Sequence, residues 1–141
     1  MKYIVYVSTA VRLMTEEELL DLLTIARTKN KKYSVTGMLL YCQGTFMQVL
    51  EGEESSVDLI YRAIELDFIR HKNIIKLASG VLEQRNFPDW SMGFASINSE
   101  TLQEIEGFLS SPELSLTKNS EHITINMLKN FVDNNKLYIS F

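Results

Sequence analysis

The chain has 141 residues, of which 45% are hydrophobic and 23% charged, a formal net charge of -4 and one cysteine, Cys42. This balance is typical of one globular domain and argues against a nucleic-acid-binding protein, which usually carries a basic patch. One cysteine excludes an intrachain disulfide, and no apolar run approaches the roughly 20 residues of a membrane-spanning helix. We expect a cytoplasmic protein that binds neither nucleic acid nor membrane.

The first elements along the chain are a strand and a helix. Residues 3–8 are rich in β-branched and aromatic side chains, which predicts strand one. Thr15 and Glu18 have the spacing of a capping box, and the leucines that follow recur at helical spacing. The pattern predicts a helix from about Thr15 to Lys29, with Asn30 at its end.

A hairpin is predicted next. The apolar runs 35–42 and 45–50 are separated by Gln43-Gly44, and two short strands joined by such a pair are typical of a tight β-turn.

The following segment predicts one more helix and two more strands. Ser55 or Ser56 is the expected N-cap of helix two, whose apolar stripe has helical spacing. Residues 74–82 predict a fourth strand with a bend near Gly80, and residues 90–97 a fifth. The stripe consists of Val57, Ile60, Tyr61, Ile64 and Phe68.

The order β-α-β-β-α-β-β predicts an α+β, ferredoxin-like sheet with both helices on one face. We expect residues 1–97 to form this domain. The tail, residues 98–141, shows helical spacing in two stretches and is too short for a second domain, so we expect a C-terminal helical extension that packs on the domain.

Two polar residues on the predicted central strands need an explanation. Phe46, Gln48 and Leu50 share one face of strand three, and the other face is also apolar, so Gln48 is predicted to be buried and must find partners. Tyr6 on the neighbouring strand one is a candidate partner. From the residues alone, a core amide bonded to backbone or water is the favoured interpretation of Gln48. Tyr6 is also compatible with a simple strand former.

Asn30 also allows two interpretations. An Asn after a helix is a common left-handed cap. Its amide also presents a donor and an acceptor side by side, which suits the edge of a heterocycle.

Several stretches of the chain resemble BLUF domains, which sense blue light through a flavin, and they occur in the family's order over roughly residues 3–97. They are Tyr6-Val7-Ser8, residues 26–30 and 35–41, residues 44–52, Asp67 with Arg70-His71, and residues 85–94.

The resemblance implies a non-covalently bound flavin, FAD or FMN, between the two helices. It implies that Tyr6 gives an electron and a proton to the excited flavin and that Gln48 rearranges its hydrogen bonds in response. Trp90 and Met92 lie on the predicted fifth strand, which is linked to signalling in the family. Each is equally compatible with ordinary core packing.

The same resemblance assigns flavin contacts along both helices. Asn30 pairs with the polar edge, and the ring is walled by Leu22, Phe46 and Ile64, with Asp67 and His71 near it. Two positions depart from the family: Ala26 replaces a frequent Ser, and Lys29 replaces Asn, His or Arg. The interval from Asp67 to Arg70 is also one residue longer than usual, because it contains Phe68-Ile69.

The expected activity is that of a stand-alone light sensor rather than an enzyme. We expect a homo-oligomer that signals through protein–protein contacts to a separate partner. The alternatives are a flavin-binding protein without photoactivity, an acylphosphatase-like hydrolase and an RNA-binding module of similar topology. The loop after strand one lacks the glycines of a phosphate cradle, which disfavours the hydrolase.

Overall fold

The computed structural model describes residues 1–89, 91–96 and 122–134. Within these ranges the chain forms five strands and three helices. No helix in this part of the chain is long and apolar enough to span a bilayer. The elements are β1 (Lys2–Ala10), α1 (Glu16–Lys32), β2 (Thr36–Cys42), β3 (Thr45–Gly52), α2 (Glu54–Glu65), β4 (His71–Val81), β5 (Gly93–Ser96) and α3 (Ile123–Asn134).

The strands form one sheet in the order β4-β1-β3-β2-β5. β1 pairs antiparallel with β3 and β4, β2 pairs antiparallel with β3, and β5 runs parallel to β2. The predicted ferredoxin-like α+β fold is therefore confirmed, with β1 and β3 as central neighbours. Their register places Tyr6 directly opposite Gln48.

Each face of the sheet packs against helices. One face carries Ile4, Tyr6, Phe46 and Leu50 against buried residues of α1 and α2. The opposite face carries Tyr3, Val5, Met47 and Val49 against Ile125 and Leu128 of α3. The alternation predicted for β3 is confirmed, since neighbouring residues of the strand belong to different clusters. Because both faces are covered, the central strands are buried, as their apolar composition requires.

The tail is described only at α3, which coincides with the second of the two helical stretches expected there. The first stretch, around 102–109, lies outside the described residues. The domain boundary at 97 and the packing of the whole 98–141 extension therefore stay predictions.

α1 begins as predicted but ends later. Thr15 accepts a hydrogen bond from the Glu18 amide, and the Glu18 side chain accepts one from the Thr15 amide, which completes the capping box. The helix continues to Lys32, and the left-handed residue after it is Ser34, with φ 54°. Asn30 is therefore not the cap; it is buried inside the last turns of the helix.

α2 differs from the prediction at both ends. Its N-cap is Glu53, without a side-chain cap, so the assignment to Ser55 or Ser56 is wrong. The helix ends at Glu65, and Phe68 lies beyond it with 76% of its surface exposed. Phe68 does not belong to the buried stripe, because the chain leaves the helix before it reaches that position.

The predicted hairpin is confirmed, with positive φ angles at both Gln43 (43°) and Gly44 (88°).

β4 begins at His71, earlier than expected. The irregularities in its pairing lie elsewhere than at Gly80, which pairs in register with Tyr3. A Cβ at Gly80 would lie 3.0 Å from the Tyr3 ring, so this glycine allows close packing rather than a bend.

The fifth strand is shorter than predicted. It begins at Gly93, so Met92 precedes it, and Trp90 lies outside the described residues.

A buried carboxylate holds the loop between β4 and β5. Glu51 on β3 is fully buried; its Oε2 accepts from the Asn86 amide at 3.0 Å and side chain at 2.9 Å, and its Oε1 accepts from the Phe87 amide at 2.8 Å. Asn86 Nδ2 also donates to Thr124 Oγ1 at 3.3 Å. Glu51 therefore ties the loop to the sheet, and Asn86 ties it to α3.

Replacing this carboxylate should destabilise the fold. In Glu51→Ala the amides of Asn86 and Phe87 lose their acceptor in a buried site, so we expect the free energy of unfolding in urea to fall by about 2–4 kcal/mol. The exposed Glu83→Ala is the matched control and should change it by less than about 0.5 kcal/mol. Equal, small effects in both variants would contradict this role for Glu51.

Candidate cofactor-binding site

A cavity of about 380 Å³ lies between α1, α2 and the sheet. Small-molecule sites have volumes of roughly 300–1,000 Å³, so the cavity has the size of a ligand site. α1 contributes Leu22, Ile25, Ala26, Lys29 and Asn30; the sheet contributes Tyr6, Leu39, Phe46, Gln48 and His71; and α2 with the turn after it contributes Ile60, Ala63, Ile64, Leu66, Asp67 and Arg70.

Every residue that the resemblance assigns to flavin contact lines this cavity. The structure thus brings together Leu22, Ala26, Lys29, Asn30, Phe46, Gln48, Ile64, Asp67 and His71. Their contact with a flavin stays a prediction. Tyr6, which the resemblance assigns to the photochemistry, lines the cavity as well. The remaining lining residues were not predicted as part of the site. Helical spacing from Leu22 and Ile64 identifies Ile25 and Ile60, whereas nothing local indicates Leu39.

Tyr6 and Gln48 line the cavity, and a hydrogen-bonded chain of buried side chains continues from them to Met92. The Tyr6 hydroxyl donates to Oε1 of Gln48, and Nε2 of Gln48 donates to the Met92 sulfur at 3.3 Å. Tyr6, Gln48 and Met92 are 3%, 4% and 0% exposed. Gln48 is therefore a buried amide with a partner at each end, and Tyr6 is the partner that its position on β1 predicts.

The ionisation state of Tyr6 follows from its burial. Removal from water raises the pKa of the Tyr6 phenol far above its ordinary value, and the nearby Tyr61 and Asp67 raise it further. The hydroxyl is therefore protonated at neutral pH and acts as the donor to Gln48.

Met92 helps to fix the orientation of the Gln48 amide. A thioether sulfur has only lone pairs to offer, so it favours the rotamer that turns Nε2 toward it. Rotation of the amide would place Oε1 against the sulfur and Nε2 against Tyr6. A thioether is a weak acceptor, and a typical hydrogen bond contributes only about 0.5–1.5 kcal/mol net, so this preference is modest.

The backbone around Met92 is fastened to α1. Arg27 Nε donates to the Met92 carbonyl at 2.9 Å, and Asn30 Nδ2 donates to the Ser91 carbonyl at 3.1 Å. Asn30 thus lines the cavity while one of its donors holds the segment before β5.

His71 is held in one orientation on another wall. Its Nε2 lies 2.9 Å from the Ile64 carbonyl, which only accepts, so Nε2 carries the proton. In the neutral ring Nδ1 then accepts from the Ser8 hydroxyl at 2.8 Å. The ring makes T-shaped contacts with Tyr6 and Phe46, with centroids 6.4 and 6.3 Å away.

The turn between α2 and His71 lies at the surface. Phe68 and Ile69 are 76% and 88% exposed. Asp67 Oδ2 meets Arg70 Nη1 at 2.8 Å and closes the turn, and His71 follows it and lines the cavity. That the interval from Asp67 to Arg70 is longer than usual in the family stays a prediction.

Comparison with known proteins gives the same assignment for most of the chain. Residues 1–93 match the family model BLUF, described as sensors of blue-light using FAD. The photoactivated adenylate cyclase subunit alpha of Euglena gracilis is 35% identical over 85 residues, which are 60% of this chain and 8% of that protein. The chain thus spans only a small part of this curated relative.

Two solved structures match along nearly their whole length. BlrB, described as a BLUF protein in its dark state, is 27% identical, with a TM-score of 0.67 and 93% of each chain covered. BlsA in its photo-activated state is also 27% identical, with a TM-score of 0.62 and coverage of 99% of this chain and 96% of the other. The chain belongs to the BLUF family of blue-light sensors, whose domains bind flavin.

Proposed function

We propose that the chain is a blue-light photoreceptor in which Tyr6 and Gln48 carry the photochemistry. The observation that carries this proposal is the buried hydrogen-bonded chain that runs from Tyr6 and Gln48, which line the cavity, to Met92.

The cavity residues suit a flavin. Leu22, Phe46 and Ile64 offer apolar walls to a flat ring, and Tyr6 and Gln48 offer polar atoms that can meet its heteroatoms. Lys29, Arg70 and Asp67 also line the cavity, and Asp67 pairs with Arg70, so the formal charges of these three side chains sum to +1, which favours a nucleotide with phosphate groups.

When bound, the flavin supplies a ring that absorbs blue light and accepts an electron in its excited state. Tyr6 is the donor: it loses one electron, and its phenolic proton leaves along the hydrogen bond to Oε1 of Gln48. The proton leaves with the electron because an oxidised phenol is far more acidic than the neutral one. Burial disfavours a net charge on Tyr6, and this also favours loss of the proton together with the electron.

Gln48 then changes what it presents to its neighbours. Rotation or tautomerisation exchanges donor and acceptor at the two ends of the amide, and the hydrogen bond to Met92 is lost. A change of one hydrogen bond, about 0.5–1.5 kcal/mol, shifts a two-state equilibrium several-fold. Met92 directly precedes β5, so the rearrangement reaches that strand. A role for Trp90 in this step stays a prediction.

The output is proposed to be protein–protein contact through the tail. The loop before Met92 is bonded at Asn86 both to Glu51 on β3 and to Thr124 on α3. A displacement of this loop therefore reaches α3 by direct hydrogen bonds. The proposed recipients of the signal are a separate partner protein and the other subunits of a homo-oligomer.

The alternative functions have less support. An RNA-binding module stacks bases on exposed strand aromatics, whereas Tyr6 and Phe46 are each only 3% exposed. A flavin-binding protein without photoactivity has the same cavity, and illumination separates it from a photoreceptor.

The first test is the absorption spectrum of the protein loaded with FAD. We expect a yellow protein whose flavin bands shift to the red after blue light and return in the dark. Tyr6→Phe removes the donated proton and Gln48→Ala removes the amide, so each should abolish the shift while flavin stays bound. Tyr33→Phe is the matched control and should behave as wild type. A normal shift in Tyr6→Phe would refute the donor role.

The burial of Tyr6 also predicts a pH dependence of stability. An unfolded tyrosine loses its proton near pH about 10, whereas native Tyr6 keeps it, so the unfolded state binds fewer protons and stability falls as pH rises. Between pH about 10 and 11 the wild type should lose about 1 kcal/mol more than Tyr6→Phe. Urea denaturation at each pH measures this difference, and parallel curves would contradict it.

The proposed output path is tested with Asn86→Ala. This variant keeps Tyr6, Gln48 and Met92, so its red shift should be normal. It loses the side-chain hydrogen bonds to Glu51 and Thr124 and keeps the backbone bond to Glu51, so the Asn86 link from the loop to α3 is removed. The light-induced change in amide hydrogen exchange of α3 expected in the wild type should therefore disappear. Glu83→Ala serves as the control. An unchanged light response of α3 in Asn86→Ala would place the output elsewhere.

A further inference from the structure

A second tyrosine packs against the proposed electron donor. Tyr61 of α2 is 7% exposed, and its ring centroid lies 5.7 Å from that of Tyr6 with the planes tilted by 60°. This separation is within the range of direct aromatic contact. Tyr6 lines the cavity, and Tyr61 packs against Tyr6 in the next position outward from the cavity.

A lysine covers Tyr61 from the neighbouring strand. Lys76 is exposed on β4, and its Nζ lies 4.9 Å from the centroid of the Tyr61 ring. The sheet register places Lys76 opposite Tyr6 on β1, so the pairing of these two strands sets the two neighbours of Tyr61 side by side. Tyr6, Tyr61 and Lys76 thus form a path from the cavity to the surface.

We infer that Tyr61 is a second electron donor that reduces oxidised Tyr6, and that Lys76 restrains this side reaction. The inference rests on the proposed function of Tyr6. A cation over an aromatic ring is attracted by the negative face of the ring, and removal of an electron from that ring turns the attraction into repulsion. Lys76 therefore makes Tyr61 harder to oxidise. The oxidised residue is then still Tyr6, next to Gln48.

The side reaction balances without another reagent. One electron moves from Tyr61 to the oxidised Tyr6, and Tyr6 takes its proton back from Gln48. Tyr61 releases its own phenolic proton to water. The outcome is an intact Tyr6, a neutral radical on Tyr61 and a Gln48 amide that has lost the trigger for its rearrangement. Each such event lowers the yield of the red-shifted state.

The test uses Lys76→Gln, Tyr61→Phe and the double variant, all loaded with FAD. A cation–π contact at an exposed site is worth a factor of about two to five in an equilibrium constant. We expect Lys76→Gln to lower the yield of the red-shifted state per absorbed photon by up to about this factor. Tyr61→Phe and the double variant should match the wild type or exceed it, because they lack the second donor.

Two further measurements identify the radical and the contact. Electron paramagnetic resonance of samples illuminated and then frozen should show more tyrosyl radical in Lys76→Gln than in the wild type, and no such increase in the double variant. In flavin-free protein, a double-mutant cycle in urea should show that Lys76 and Tyr61 are coupled, with a factor of about two to five in the folding equilibrium. Absence of coupling would overturn the role of Lys76.

The controls separate this inference from the proposed function. Lys72→Gln removes an equivalent exposed charge from β4 and should leave the yield unchanged. An unchanged yield in Lys76→Gln, or a loss that persists in the double variant, would overturn the inference while a normal wild-type red shift upholds the proposed function. A wild type without a red shift would overturn both.

Discussion

The site depends on the pairing of β1 with β3, which sets Tyr6 directly across from Gln48. In a sheet, a slip of one residue turns a side chain to the opposite face, so this register decides whether the two polar groups meet. Both are buried, and each would be costly without the other, since an unpaired buried polar group is strongly unfavourable. The hydrogen bond and the apolar packing of the central strands therefore specify the same register.

β3 also joins the two layers of the protein. Gln48 faces the cavity under α1 and α2, and Glu51, three residues along, faces the layer that contains α3. The segment that follows β4 contacts both residues: Asn86 binds Glu51, and Met92 accepts from Gln48. One short stretch of chain is thus fastened to both faces of the same strand, which gives a change at Gln48 a short physical route to α3.

The sequence predicted those parts of the fold that depend on local patterns. The capping box at Thr15, the hairpin at Gln43-Gly44 and the alternation of β3 are each decided by neighbouring residues. The ends of α2 were predicted wrongly, because serines near a helix start do not show which residue becomes the cap. The partners of Glu51 could not be predicted, since they come from residues 86 and 87, far away in sequence.

In the candidate site, too, some features could be predicted from the sequence and others could not. Family resemblance named residues that now line one cavity, but it gave no sign of Tyr61 beside Tyr6 or of Lys76 above it, because both contacts arise from the crossing of α2 over β1 and β4. The place of His71 likewise depends on the pairing of strands that are distant in sequence. Ala10 pairs with His71 and the Val11 amide donates to the Arg70 carbonyl, so β1 fixes where β4 begins. Phe68 and Ile69 project into solvent, whereas sheet pairing, rather than the distance along the chain from Asp67, determines the place of His71.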